Sequence, residues 1–134
     1  MMTGIIRILA FLVLIGCSPM LLSADNERSA NELSAIEAVN NYLGAMMIGD
    51  TAQATLFLSP AIADQRRALF SNPTYSTQLQ QAYENASHEI IASKMLSSDK
   101  VQVDVKVTLN QQDTVHSRFE LKNINQQYLI TSEK

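Results

Sequence analysis

The stretch that decides the fold is residues 101–109 (VQVDVKVTL), in which an apolar side chain occupies every second position. Side chains of a β-strand point alternately to the two faces of a sheet, so the pattern predicts a strand with one apolar and one polar face. The same alternation returns at residues 115–121, after a turn at residues 110–113. Further strand-like runs lie at residues 88–96 and 127–131. Consecutive strands joined by short turns predict an antiparallel meander of three or four strands.

The alternation also assigns residues to the two faces of the sheet. In residues 88–96 the simplest register places Ile91 and Met95 on the core face. The inward residues of the strand at 115–121 are expected to be Val115, Ser117, Phe119 and Leu121. The opposite face would carry Gln102, Asp104, Lys106, Thr108, His116, Arg118, Glu120 and Lys122. A face with interleaved opposite charges suits water better than a buried dimer interface, so we expect a monomer.

The residues before the strands have helical periodicity. Ser29 and Glu32 match a capping box, which predicts that a helix begins there. Gly49 can adopt the left-handed conformation that ends a helix, and Asp50 can cap a second, short helix. The apolar stripe of the first helix is expected to consist of Ile36, Val39, Leu43, Met46 and Met47.

Two further helices are predicted before the first strand. A hydroxyl followed by proline at residues 59–60 marks the start of one, and residues 76–85 form the other, with Leu79 and Tyr83 one turn apart. In the second and third helices the inward residues are expected to be Leu56, Phe57, Ile62, Leu69 and Phe70, and the outward residues Asp64, Gln65 and Arg66. Helices followed by strands predict an α+β fold, with the N-terminal helices on one face of the sheet.

The N-terminus resembles a bacterial export signal. Residues 8–16 (ILAFLVLIG) are an apolar run that is too short to span a bilayer as a helix. We therefore assign residues 1–24 to a signal peptide, residues 25–30 to a tether and residues 31–134 to a single domain. Cleavage before Cys17, within a sequence like a lipobox, would leave a lipidated cysteine, whereas cleavage after Ala24 would leave a soluble product. We favour the lipid anchor, because the chain's single cysteine lies where a lipobox requires one.

Composition and motif content limit the chemistry. The chain carries ten basic and thirteen acidic residues, and this net negative charge argues against nucleic acid as a partner. His88 and His116 lack further ligands at metal-binding spacing, and the sequence contains neither a nucleophile elbow nor a phosphate-binding glycine loop. The sequence therefore predicts no catalytic residue, no metal and no cofactor.

Short motifs carry a resemblance to a known superfamily. They are residues 38–45 (AVNNYLGA), the Gly-Asp pair at 49–50, and the hairpin formed by residues 119–121 and 128–130. In these features the chain resembles the nuclear transport factor 2-like (NTF2-like) superfamily, especially its small bacterial lipoproteins of unknown function. The resemblance implies a curved, cone-like sheet wrapped around the long first helix, with an apolar cavity open at its wide end.

That implied cavity supplies the candidate ligand-binding residues. Those near its mouth would be Met46, Met47, Phe57, Phe70 and Tyr83, unless these side chains are ordinary core. Some NTF2-like proteins are isomerases or dehydratases with an Asp base and Tyr or His donors inside the cone. The residues of this chain that could take these roles are Asp50, Asp64, Tyr42, Tyr75, Tyr83 and His88.

Two functional hypotheses follow from these observations. The first is a noncatalytic module of the bacterial cell envelope that binds a protein partner or a small apolar ligand and touches the membrane only through a lipid on Cys17. If the leader is instead removed after Ala24, the protein is a soluble periplasmic or secreted one. The alternative function is a small isomerase or lyase with a carboxylate base in the cone cavity.

Overall fold

The computed structural model describes residues 28–110 and 113–134, and within them four helices precede four strands. The helices are α1 (Ala30–Met47), α2 (Thr51–Thr55), α3 (Pro60–Phe70) and α4 (Pro73–Ala82). The strands are β1 (Ser87–Ser97), β2 (Lys100–Leu109), β3 (Asp113–Ile124) and β4 (Gln127–Glu133). The predicted signal peptide, with Cys17, lies outside the described residues. Among those described, no helix is both long and apolar enough to cross a membrane.

The caps of the first helices are as predicted. The Glu32 amide donates to Ser29 Oγ at 3.1 Å, and the Ser29 amide donates to Glu32 Oε1 at 3.2 Å, which completes the capping box of α1. Gly49 follows the end of α1 with φ 77°, and an added Cβ there would lie 2.7 Å from the Ser76 carbonyl oxygen. Asp50 then caps α2 through the Gln53 amide at 3.0 Å.

The last helix differs from the predicted residues 76–85 at both boundaries, since it also ends earlier, at Ala82. α3 begins at Pro60 as predicted, whereas α4 begins at Pro73 and not at residue 76. The Asn72 side chain accepts from the Thr74 amide at 2.9 Å and so caps α4. Proline is tolerated at the first helical position because its missing N–H would have no helical partner there.

The four strands form one antiparallel sheet in the order β1-β2-β3-β4, which confirms the meander and the α+β class. The apolar face of β2 is fully covered: Val101, Val103 and Val105 have no exposed surface. α1 packs on this face, and the rings of Tyr42 and Phe119 meet edge to face with centroids 6.0 Å apart. The largest fully buried side chains are Tyr42, Phe119, Leu121 and Ile130.

The first strand departs from simple alternation. Ile90 pairs with Val105 and Ala92 with Asp104, so Ile91 is an extra residue in a β-bulge. Its side chain is 46% exposed, whereas Ile90 and Met95 pack against the core. The prediction that Ile91 faces inward was therefore wrong, because one inserted residue inverts the phase of a strand.

Three other apolar residues predicted to face inward are exposed. Leu56 and Leu69 are 59% and 47% exposed, at the ends of short helices. Val115 is 45% exposed because β4 pairs with β3 only beyond it, with Glu133 opposite Phe119. Burial in this fold is thus concentrated where α1 covers β2, β3 and β4.

Candidate functional site

The structure does not bring the five predicted cavity residues together. Met46 is buried in the core, and Met47, Phe57, Phe70 and Tyr83 pack against it with part of their surface exposed. Phe70 stacks on Tyr75 with ring centroids 5.8 Å apart and lines a cleft of about 240 Å³ between α2 and α3. Phe57 lines a different cleft, and the other three residues line neither.

Three polar side chains meet instead at one end of the core. Arg66 Nη1 donates to Tyr42 Oη at 2.6 Å, and its Nη2 lies 3.0 Å from Glu133 Oε1. The Tyr42 hydroxyl in turn donates to Glu133 Oε1 at 3.3 Å. Tyr42 is buried, while the Arg66 and Glu133 side chains are 26% and 27% exposed. We call these residues, Tyr42, Arg66 and Glu133, the polar triad.

The triad explains why the prediction for Arg66 was wrong. Arg66 was expected to face solvent, but it lies four residues after Ile62 on the inner face of α3. Its guanidinium reaches Tyr42 on α1 and Glu133 on β4.

Glu133 was missed because it lies beyond the predicted strand at residues 127–131, and because β4 contains a bulge before it. Ile130 pairs with Leu121 and Ser132 with Glu120, which leaves Thr131 as an extra residue. Strict alternation from the inward Ile130 would send Glu133 outward, but the bulge turns it to the face that Phe119 occupies. A one-residue insertion of this kind leaves no clear mark in the sequence.

The electrostatics of the triad favour a structural role. Burial and the charge of Glu133 raise the pKa of Tyr42 well above its usual range, so its phenol stays protonated. Burial alone would lower the pKa of Arg66, but Tyr42 and Glu133 raise it on balance. Burial, with Glu133 and Tyr75 nearby, also raises the pKa of Tyr83. The carboxylate thus faces a fixed cation and a neutral phenol.

The other residues weighed for catalysis have structural partners. Asp50 caps α2, and Asp64 pairs with Arg67 on the surface of α3. His88 Nε2 lies 3.0 Å from Asn40 Oδ1 and ties β1 to α1. In the part of the chain that the structure describes, no group of three or more His, Cys, Asp or Glu side chains could hold a metal ion.

A polar cleft of about 350 Å³ lies between α1 and the β3–β4 hairpin. From α1 it is lined by Asn31, Ser34, Glu37, Ala38 and Asn41. From the hairpin it is lined by Asn123, Gln126, Gln127 and Tyr128, and Phe57 completes it. We call this the amide cleft, because five of its lining residues are asparagine or glutamine. The sequence analysis placed Gln126 in a turn and Gln127 at the start of the last strand, and it missed the cleft.

Two local features of the amide cleft stand out. Tyr128 is 6% exposed, and its hydroxyl is buried with no hydrogen-bond partner among the described residues. Asn125 and Gln126 form the hairpin turn with φ 54° and 68°, a conformation that glutamine seldom adopts. Both features cost stability in the free protein.

Comparison with known proteins identifies the fold. No protein-family model matches the sequence, and no curated protein matches it. The structure is similar to that of an NTF2-like protein of unknown function from Shewanella oneidensis, with TM-score 0.58 and 16% identity over 75% of this chain and 93% of that one. This chain has the NTF2-like fold.

Two more solved structures with low sequence identity are similar. A putative NTF2-like transpeptidase from Campylobacter jejuni matches with TM-score 0.54 and 12% identity over 72% of this chain and 95% of that one. A SEC-C motif-containing protein from Rhodopseudomonas palustris matches with TM-score 0.57 and 14% identity over 88% and 87% of the two chains. At such identities the shared property is the fold alone, so function must be argued from this chain's own residues.

The NTF2-like fold accounts for the curved sheet that wraps around α1. The interior of this curve holds tightly packed side chains, with Val39, Tyr42, Phe119 and Leu121 all below 2% exposure. Met46, one of the residues proposed for a cavity mouth, is itself 7% exposed. The amide cleft therefore lies outside this tightly packed interior.

Proposed function

We propose that the protein is a noncatalytic binding module of the bacterial cell envelope. The observation that supports this proposal is the polar triad, in which the half-buried Glu133 is paired with Arg66 at 3.0 Å. A general base needs a free carboxylate within reach of a substrate proton, and a carboxylate neutralised by arginine is a poor base. The ligand is either a protein partner or a small molecule bound outside the packed core.

The alternative function, an isomerase or lyase, would place the base in the same triad. Glu133 would then act on a substrate with Tyr42 as the hydrogen-bond donor. Catalytic carboxylates are commonly held at a cost in stability, so their replacement tends to stabilise a protein. Replacing one partner of a structural ion pair has the opposite effect on stability. It destabilises the protein, because the other charge is left uncompensated.

The sign of one substitution separates the two functions. We expect Glu133→Gln to lower the free energy of unfolding by about 1–2 kcal/mol, a value reduced for the partial exposure of the pair. Glu120→Gln, on the outer face of the sheet, is the matched control and should change it by less than about 0.5 kcal/mol. Urea unfolding followed by circular dichroism measures both. A gain in stability for Glu133→Gln would support the enzyme instead.

The proposed location in the cell envelope rests on the predicted signal peptide and is tested separately. Metabolic labelling with palmitate should mark the wild-type chain and not a Cys17→Ser variant, which should also leave the membrane fraction. A Cys17→Ser variant that stays in the membrane fraction and a wild type without label would contradict the anchor. Recovery in the cytoplasmic fraction would contradict export as a whole.

A further inference from the structure

We propose that the amide cleft binds a neutral saccharide. The inference rests on the proposed function, since it names the ligand class of the binding module. The volume of the amide cleft, about 350 Å³, falls within the range of about 300–1,000 Å³ that is usual for small-molecule sites. The cleft is lined by regular secondary structure on both sides, the exposed face of α1 and the β3–β4 hairpin.

The chemistry of the lining favours hydroxyl groups. Each asparagine or glutamine side chain offers two N–H donors and one carbonyl acceptor. A sugar hydroxyl both donates and accepts, so the several hydroxyls of a ring match the several amides of the lining, Asn41 and Gln127 among them. Phe57 and Tyr128 add aromatic surface, on which the C–H face of a sugar ring can pack.

Charge argues against other small ligands. Among the residues that the structure describes, Glu37 is the one carboxylate in the lining, and none of those lining residues is lysine, arginine or histidine. An anion would find no cation there and would be repelled by Glu37. A metal ion would find a single carboxylate, where hard cations require several oxygen ligands of that kind.

The hydrogen bonds of β4 argue against an extended peptide. A peptide that adds a strand needs free backbone groups along the edge of a sheet. The outer edge of β4 is already engaged, because the Ile130 amide donates to the Phe57 carbonyl and the Ser59 amide donates to the Ile130 carbonyl, each at 2.8 Å.

The Tyr128 side chain lines the cleft, while its hydroxyl oxygen is buried without a hydrogen-bond partner among the described residues. A buried hydroxyl without a partner costs stability in the free protein. A hydroxyl-bearing ligand would pair with this oxygen once the Tyr128 ring turns toward the cleft. Gln126, which also lines the cleft, has a positive φ of 68°, which is a second local cost in stability.

The test is a titration of the full-length chain, labelled with ¹⁵N and purified in a detergent without a sugar headgroup. The probes are cellobiose and diacetylchitobiose, with tri-alanine as the peptide control and galacturonic acid as the anionic control. We expect saturable amide shifts in residues 31–41 and 123–128 with either disaccharide and none with the two controls. No saturable shift with either disaccharide, shifts outside these ranges, or equal shifts with tri-alanine would overturn the proposal.

Variants give the assignment a second readout. Asn41→Ala and Gln127→Ala should each weaken disaccharide binding about threefold to tenfold, the equivalent of one hydrogen bond. Tyr128→Phe should weaken binding while it stabilises the free protein, since it removes the unpartnered hydroxyl. Gln81→Ala, on exposed surface of α4, should change neither. Unaltered binding in all three cleft variants would overturn the proposal.

The experiments distinguish a failure of the saccharide proposal from a failure of the proposed noncatalytic function. A titration without saturable shifts would exclude a saccharide as the ligand. It would not bear on the sign of the Glu133→Gln effect or on the noncatalytic role. A stabilising Glu133→Gln would remove the noncatalytic role, whatever the titration shows.

Discussion

The central strand β2 and the edge strand β4 follow different rules of pairing. Every residue of β2 from Lys100 to Leu109 has one partner on β3, without a register shift. β4 contains one extra residue, Thr131, and its side chains change face there. The regular strand β2 builds the core, whereas the bulged edge strand β4 turns Glu133 inward to meet Arg66.

β1, the other edge strand, has the same property. Extra residues at Ile91 and Leu96 break its register against β2. Bulges are over-represented at sheet edges, where they redirect a side chain or discourage further pairing. In this molecule the bulges at both edges are where strict alternation fails.

The largest expected effect lies in the regular centre. Phe119→Ala should lower the free energy of unfolding by about 3–5 kcal/mol, because it leaves a cavity beside Tyr42 in the fully packed core. Val115→Ala, at the exposed start of the same strand, should cost less than about 0.5 kcal/mol. Urea unfolding measures both, and equal losses would show that the sheet is not covered as described.

The bulge in β1 predicts a sharp contrast between adjacent isoleucines. Ile90→Ser should cost about 2–3 kcal/mol, because Ile90 packs against the core, while Ile91→Ser should stay within about 0.5 kcal/mol. Thermal and urea unfolding of the two variants would decide it. A greater loss of stability for Ile91→Ser than for Ile90→Ser would mean that Ile91 faces the core and that β1 has no bulge there.

The β3–β4 hairpin predicts a gain in stability. Gln126→Gly should stabilise the protein by about 0.5–1 kcal/mol, because glycine adopts a positive φ without the cost that a Cβ imposes. Gln127→Gly, in the adjacent strand position, should destabilise it and serves as the control. If both variants lose stability, the turn does not carry the strain inferred for it.

The smallest effect concerns the pH dependence of α1. The Ser93 hydroxyl donates to Glu32 Oε2 at 2.8 Å, and this bond, together with the Ser29 amide, lowers the pKa of Glu32. The stabilisation that the Glu32 carboxylate contributes is fully present above the pKa of Glu32 in the unfolded chain. It is lost as pH falls through the lower pKa of Glu32 in the folded protein. Ser93→Ala should raise the pKa of Glu32 in a carbon-13 carboxyl titration, and Ser97→Ala should not. Equal pKa values in wild type and Ser93→Ala would exclude the contact.

Much of the fold could be predicted from local pattern. Caps such as Ser29 and Asp50 act within one helical turn, so the sequence contains all that determines them. The faces of β2 follow from period two, because each residue there has a single partner. These two signals were sufficient for the order of elements, the meander and the α+β class.

The polar triad and the amide cleft depend on contacts that no local pattern encodes. Arg66 and Glu133 are far apart in sequence and meet only because α3 and a bulged β4 converge on α1. The amide cleft arises in the same way, from one face of α1 and a hairpin that follows it by about eighty residues. Polar residues at such places look like solvent-exposed surface until the tertiary structure assembles them.

The most direct test of the inverted phase in β4 is a double-mutant cycle. Arg66→Met, Glu133→Gln and the double variant are compared with wild type by urea unfolding. We predict a coupling energy of about 1–2 kcal/mol, as expected for a partly buried, hydrogen-bonded charge pair. A coupling energy near zero would mean that Glu133 faces solvent and that the triad, and the noncatalytic role inferred from it, does not exist.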